Sequence, residues 1–165
     1  MFSHRLAGLD DLSAIVGIYN STIASREVTA DLVQVSVADR TPWFHAHDPA
    51  TRPIWVAEQD GNIAGWLSFT DFHPRAAYRH TAEISIYVDQ IWRAKGCGRY
   101  LLMQALAAAP ALQIHTLIGL IFGHNQRSLE LFEKCGFLPW GRLPSVALLD
   151  DIERDLVIVG RRLAD

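Results

Sequence analysis

An α/β fold with a mixed β-sheet is what this sequence predicts, and three stretches predict it. From Glu83 to Val88, Glu83, Ser85 and Tyr87 alternate with Ile84, Ile86 and Val88, the period of two that marks a strand with two unlike faces. Arg93-Ala94-Lys95-Gly96-Cys97-Gly98 then leads into an apolar helix. Leu112 to Phe122 follows as an apolar run, broken only by Gln113 and His115 among its large residues, and reads as a buried strand. The order is a strand, helices, a meander of strands, and then two strand–helix units.

Each element has a local reason. Phe2 to Ala7 reads as an edge strand. Asp10 and Asp11 precede a helical pattern with Leu12, Ile15, Val16, Tyr19 and Ile23 on one face, and acidic residues suit the start of a helix. Ser21 to Gln34 has no clear period and reads as a loop. Thr41-Pro42 suits an N-cap with proline in the first turn; a start near Ser36, with Pro42 kinking the helix, is the alternative. Trp43 and Phe44 are expected in the core. Ile54 to Glu58 and Asn62 to Phe72 flank Gln59-Asp60-Gly61, a hairpin signal, and Pro74 to His80 loops into Thr81. The helix over 98–109 stops before Pro110, which cannot continue it. Asn125 opens a second amphipathic helix with Leu129, Leu131 and Phe132, and Gly136 suits its end. Phe137 to Trp140 and Asp155 to Gly160 are the expected last strands, joined by a connection containing Pro144.

A chain of 165 residues suits one domain over 1–165, and half its residues are hydrophobic, an ordinary globular composition. Its formal net charge of −3 argues against nucleic acid as a partner. No apolar run is long enough to span a membrane, and the N-terminus lacks the plan of a signal peptide. Cys97 and Cys135 lie in different motifs, which suits a reduced, cytoplasmic chain without a disulfide. The seven histidines show no metal spacing, so no metal is expected.

The glycine loop carries the first chemical signal. Glycines let backbone approach an anion, and a helix start offers unpaired N–H groups with the positive end of a dipole. A phosphate or pyrophosphate cradle and a plain turn into a helix both fit this spacing. The dinucleotide fingerprint is not met, because Leu101 stands where its third glycine would fall. Glu83, Asn125 and Arg75 likewise have bland readings as a strand carboxylate, a helix N-cap and a loop arginine.

Taken together, Arg75-x-x-Tyr78, Thr81-Ala82-Glu83-x-Ser85-x-Tyr87-Val88, Arg93-x-x-Gly96-x-Gly98 and Asn125-x-x-Ser128-x-x-Leu131, closing in Cys135-Gly136-Phe137, resemble the GNAT N-acetyltransferases. The similarity is nearer still to their phosphinothricin acetyltransferase-like branch, and it runs over nearly the whole chain. It implies a mostly antiparallel sheet splayed at the cofactor site and flanked by helices. It implies acetyl-CoA as co-substrate, a small-molecule amine as acceptor, and a homodimer. On that resemblance, backbone of Ile86, Tyr87 and Val88 would pair with the pantetheine arm. Arg93, Ala94, Lys95, Gly96, Cys97, Gly98 and Arg99 would hold the pyrophosphate. Asn125 and Ser128 would reach the pantetheine region, Glu83 would be the general base, and Arg75 and Tyr78 would meet the acceptor. The implied acceptors are phosphinothricin and methionine sulfone or sulfoximine. Rival expectations are another amine (a peptide N-terminus, a polyamine or an aminoglycoside) or a non-catalytic acyl-CoA sensor. Two departures stand out. Phe132 occupies the position where the family often has tyrosine or histidine, so the usual proton donor to the thiolate is missing. The resemblance also implies that the 21–34 loop helps cover the acceptor site, a plain surface connection being the alternative, and the aromatic residue that the branch carries in this early loop is replaced near Ala30.

Overall fold

The chain folds as β1 (Ser3–Leu6), α1 (Leu12–Ile23), α2 (Val37–His45), β2 (Ile54–Gln59), β3 (Asn62–Asp71), β4 (Thr81–Val88), α3 (Cys97–Ala108), β5 (Thr116–Phe122), α4 (Gln126–Lys134), β6 (Leu138–Leu149) and β7 (Ile152–Arg162). The structure, a computed structural model, describes residues 1–163. One sheet runs in the order β1-β2-β3-β4-β5-β7-β6, so β1 is indeed an edge strand. Every neighbouring pair is antiparallel except β4 and β5.

Local chemistry sets most boundaries. Asp60 (φ 54°) and Gly61 (φ 77°) are the two left-handed residues of the β2–β3 turn, which pairs Gln59 with Asn62. The second helix starts at the Ser36 alternative. Ser36 Oγ accepts from Asp39 N at 3.1 Å, and Asp39 Oδ2 accepts from Ser36 N at 2.9 Å. This capping box outweighs the Thr41-Pro42 signal, and Pro42 lies inside the helix.

Three expectations are corrected. Helix α1 runs on to Ile23, taking the first residues of the expected 21–34 loop. Strand β5 begins at Thr116, not Leu112. Leu112 N and Ile114 N bond back to Ala108 O and Ala109 O, and Gln113 is left-handed (φ 58°), so this apolar stretch closes α3 instead of pairing in the sheet. The Pro144 stretch belongs to β6 itself. A register irregularity between Leu143 and Ala147, with Ser145 at φ 52°, absorbs it as a bulge. The connection to β7 is then a tight turn at Asp150 and Asp151, both left-handed.

The two faces of the sheet build two cores. Helix α1 packs Leu12, Ile15 and Tyr19 on Val56 and Trp66, with Trp43 and Phe44 of α2 partly buried against the same cluster. Helices α3 and α4 cover the other face through Leu101, Leu102, Ala105 and Phe132 against Leu67, Ile84 and Leu117. The alternation in β4 sorts its side chains accordingly. Ala82, Ile84, Ile86 and Val88 join the α3–α4 core, whereas Tyr87 stacks on Trp66 (4.5 Å, 21°) beside Tyr19.

Candidate active site

The parallel pairing of β4 with β5 covers only Thr81↔Thr116, Ala82↔Leu117 and Glu83↔Ile118. Beyond that point the strands share no ladder among the described residues. A narrow cleft of about 50 Å³ opens between them, floored by Ile86, Gly119 and Phe132. Gly119 admits the ring: a Cβ there would fall 2.8 Å from Phe132 Cε1. A wider groove of about 280 Å³ extends the opening toward the start of α3.

Most of the residues expected at the cofactor line this groove. Ile86, Tyr87 and Val88 come from β4, and Arg93, Ala94 and Gly96 from the loop after it. Cys97, Gly98 and Arg99 come from the first turn of α3, and Asn125 and Ser128 from α4. Lys95 does not line it; its Nζ lies 5.0 Å from the Trp92 ring centroid, a cation–π contact. Gly96 is left-handed (φ 93°) at the N-cap of α3, and no side chain caps that helix. Its first N–H groups therefore face the groove end without a side-chain partner. Arg93 Nε donates to Val88 O at 3.3 Å, while its buried Nη2 has no partner among the described residues. An uncapped helix start beside an orphaned guanidinium nitrogen is an arrangement that an anion completes. Gly98 packs against α4: a Cβ would lie 3.2 Å from Leu131 Cδ2. Cys97 is no nucleophile, since burial pushes its thiol up to about 11. Both cysteines are free and buried.

Asn125 answers both of its sequence readings. Its Oδ1 accepts from Ser128 N at 3.1 Å, capping α4, and its Nδ2 donates to Glu27 O at 3.1 Å. One amide hydrogen is left for a ligand.

Glu83 is the last residue of β4 that pairs with β5, opposite Ile118 there and Thr70 on β3. Its carboxyl is half-buried and has no hydrogen bond or ion pair among the described residues. Desolvation pushes its pKa above the usual carboxylate range. On the same face, burial also raises the Tyr87 phenol. Arg75 and Tyr78 do not reach the groove. Arg75 lines a separate hollow of about 340 Å³ at the opposite end of β4, beside Arg79 and the Arg52–Asp71 ion pair (2.7 Å). Tyr78 is exposed against Phe72 and His73. Among the described residues no group of three or more His, Cys, Asp or Glu is placed to hold a metal ion. No helix there is long and apolar enough to cross a membrane.

The resemblance implies that the 21–34 loop covers the acceptor site, but the sequence singles out none of the residues by which it walls this groove. Thr22, Glu27 and Val28 line it from the end of α1 and the following loop, and Arg127 from α4. The loop has no period, and nothing in its composition says which surface it covers.

The splayed parallel pair and the helix start at its mouth form one extended groove with an anion-ready end. The chain belongs to the acetyltransferase (GNAT) family, whose description matches residues 18–137. It is 53% identical over 97% of its length, and 98% of the relative's, to YwnH of Bacillus subtilis, which is named provisionally as a phosphinothricin acetyltransferase. It is 33% identical to an L-methionine sulfoximine/L-methionine sulfone acetyltransferase of Pseudomonas aeruginosa, over 87% of this chain and 84% of that one. The structure superposes with a TM-score of 0.93 and 27% identity on a GNAT-superfamily phosphinothricin acetyltransferase of Sinorhizobium meliloti in complex with acetyl-CoA, covering 99% and 89% of the two chains.

Proposed function

We propose that this protein moves the acetyl group of acetyl-CoA to the primary amine of a small amino-acid-like acceptor of the phosphinothricin or methionine sulfone/sulfoximine type. The observation that carries the reading is the groove that runs from the β4–β5 splay to the uncapped start of α3. The residues fit the donor. Arg93, with its orphaned Nη2, and the first N–H groups of α3 would hold the pyrophosphate. The unpaired edge of Ile86–Val88 would hold the pantetheine arm in strand fashion. Bound there, the donor supplies an acetyl thioester. A backbone N–H of the same edge would polarise its carbonyl.

Glu83 would take the proton from the acceptor ammonium. An ordinary carboxylate near ~4.3 is a weak base for an amine near ~10, and burial narrows that gap from the carboxylate side. Arg75 would meet the acceptor's carboxylate or phosphinate as a planar fork, at the end of β4 that carries Glu83. Phe132 donates no proton, so the thiolate leaves to water or unprotonated, which a thiol of ~8.5 tolerates. The protein works in the cytoplasm as a homodimer. Its two free thiols fit that compartment, and exposed Leu138, Trp140, Val146 and Leu148 on β6 offer the pairing surface.

The test is thiol release from acetyl-CoA across phosphinothricin, methionine sulfone, methionine sulfoximine, polyamines and an aminoglycoside. Glu83→Gln should keep acetyl-CoA affinity and slow turnover about tenfold or more on the first three. Turnover on cationic amines alone would replace the acceptor class. Tight acetyl-CoA binding with no turnover on any amine would make the chain an acyl-CoA sensor.

A further inference from the structure

We propose that Arg26, Asp150 and His124 are positioning residues that strap the loop over 24–35 across the groove and so hold one wall of the cofactor site. The loop leaves α1, carries Glu27 and Val28 into the 280 Å³ groove, and places Val28 against the narrow cleft as well. It joins no sheet and no helix; Tyr19 and Asn20 of α1 hold its later part at Thr29 and Val35, and the stretch at the groove has its own anchors.

Arg26 anchors that stretch from a left-handed backbone (φ 55°). Its Nε and Nη2 donate to Asp150 Oδ2 and Oδ1 at 2.7 and 3.1 Å, a two-point contact with the β6–β7 turn. Its Nη1 donates to Ile23 O (3.2 Å) and Leu32 O (3.0 Å), tying the two ends of the loop together. The Arg26 carbonyl accepts from His124 Nε2 at 2.7 Å, and the next carbonyl, of Glu27, accepts from Asn125 Nδ2. His124 itself is fixed by stacking on Phe122 at the end of β5. The wall is therefore held from one side by the start of α4 and from the other by a turn more than 120 residues away in the chain (|i−j| = 124).

Arginine is required because one planar fork must serve a carboxylate and two carbonyls at once, which a lysine ammonium does not match. The expected consequence is a population effect. If the wall is in place for only a fraction of the time, the apparent dissociation constant rises by the inverse of that fraction, while the saturated complex is unchanged. The ligand half of this inference rests on the acetyl-CoA reading of the groove; the loop half does not.

The test compares Asp150→Asn, Asp150→Glu and Arg26→Lys with the wild type. Hydrogen exchange over 24–35 is measured without ligand, acetyl-CoA binding by calorimetry, and turnover at saturating substrates. Asp150 is largely exposed at its turn, so Asp150→Asn should fold, and Arg26→Lys supplies an independent second variant. Both should raise loop exchange about tenfold and the acetyl-CoA Kd about three- to tenfold, with maximal rate within about twofold of wild type. Asp150→Glu should restore most of the affinity. High salt should weaken binding to the wild type more than to Asp150→Asn, because the ion pair it screens is gone from the variant. Unchanged loop exchange overturns the strap, and so does faster exchange with an unchanged Kd. A fall in maximal rate at unchanged Kd also overturns it, since these groups would then act in the chemistry. A wild type that does not bind acetyl-CoA would sink the proposed function instead, and loop exchange would still decide the strap.

Discussion

Glu83 is held where burial disfavours the charged carboxylate. Its pKa is raised because burial strips water from the charged form and nothing among the described residues compensates. The sign of the stability effect follows. The folded value lies above the unfolded one, so this stability is fully present below ~4.3 and is lost as pH rises through the raised folded value. Glu83→Gln should therefore melt close to wild type near pH ~4 and above it at pH ~7. Scanning calorimetry across that range checks this; a variant that melts lower at neutral pH would mean that a partner satisfies the charge. The acid limb of the wild-type kcat/KM profile should sit above the usual carboxylate range and vanish in the variant. Asn125 shows a different economy, one side chain capping α4 through its oxygen and clamping the loop through its nitrogen. Phe132 shows the converse. The ring is core, edge-on to Phe137 at 4.9 Å and seated on Gly119.

Strand β4 is an element with two duties, since its first half is paired on both sides and its last residues are the groove floor. Gly65 of β3 is what lets the second half lie where it does. It pairs with Val88, and a Cβ there would fall 2.7 Å from the Tyr87 carbonyl oxygen and 3.1 Å from Cys97 Sγ. Neither the backbone nor the buried sulfur can move cheaply. Gly65→Ala is expected to cost about 1–3 kcal/mol of stability and to weaken acetyl-CoA binding, because relief means pushing β4 toward the groove. Gly61→Ala is the control. Its added Cβ meets nothing within 4 Å, but its φ of 77° strains the turn, so it should cost stability of about 1 kcal/mol and leave binding alone. Denaturant titration and calorimetric binding separate the two; equal affinity in both variants would refute the link between β3 packing and the groove.

Across the molecule, charge and apolar surface are divided between the two ends of the sheet. The β1 end is sealed by Arg5, which reaches Asp11 at 2.6 Å and Glu58 at 2.8 Å. The β6 end is open. Leu138, Val146 and Leu148 are 63%, 55% and 59% exposed, an apolar surface that the proposed homodimer would cover. Val146→Asp should turn a dimer into a monomer in sedimentation equilibrium at micromolar protein, while each protomer keeps its thermal transition. A wild type that sediments as a monomer would remove the homodimer from the proposal. Because the β6–β7 turn also anchors the strap, loss of pairing is expected to loosen the 24–35 loop as well, visible in the same exchange experiment.

The sequence by itself determined what neighbours in the chain can settle. The period of two set β4, with its end at Val88 as the pattern marks and its start two residues earlier, at Thr81. Asp60-Gly61 set a hairpin because only left-handed residues turn two strands so tightly, and Asn125 and Gly136 bounded α4 because its end groups need local partners. With the family motifs, that sufficed to name most of the residues that line the groove beside β4. Tertiary structure decided the rest, in each case because a local signal lost to a distant one. Leu112 looked like strand but closes α3, since the strand partner begins only at Thr116. Lys95 sat in the loop motif but packs on Trp92, and Arg75 stands apart from the groove. The resemblance gave the loop a covering role but not the place of Glu27 and Val28, because a loop without periodicity takes its place from carbonyls bonded to His124 and Asn125, 98 residues on. A periodic pattern records which face an element buries; it does not record which element will bury it, and the site lies where those elements meet.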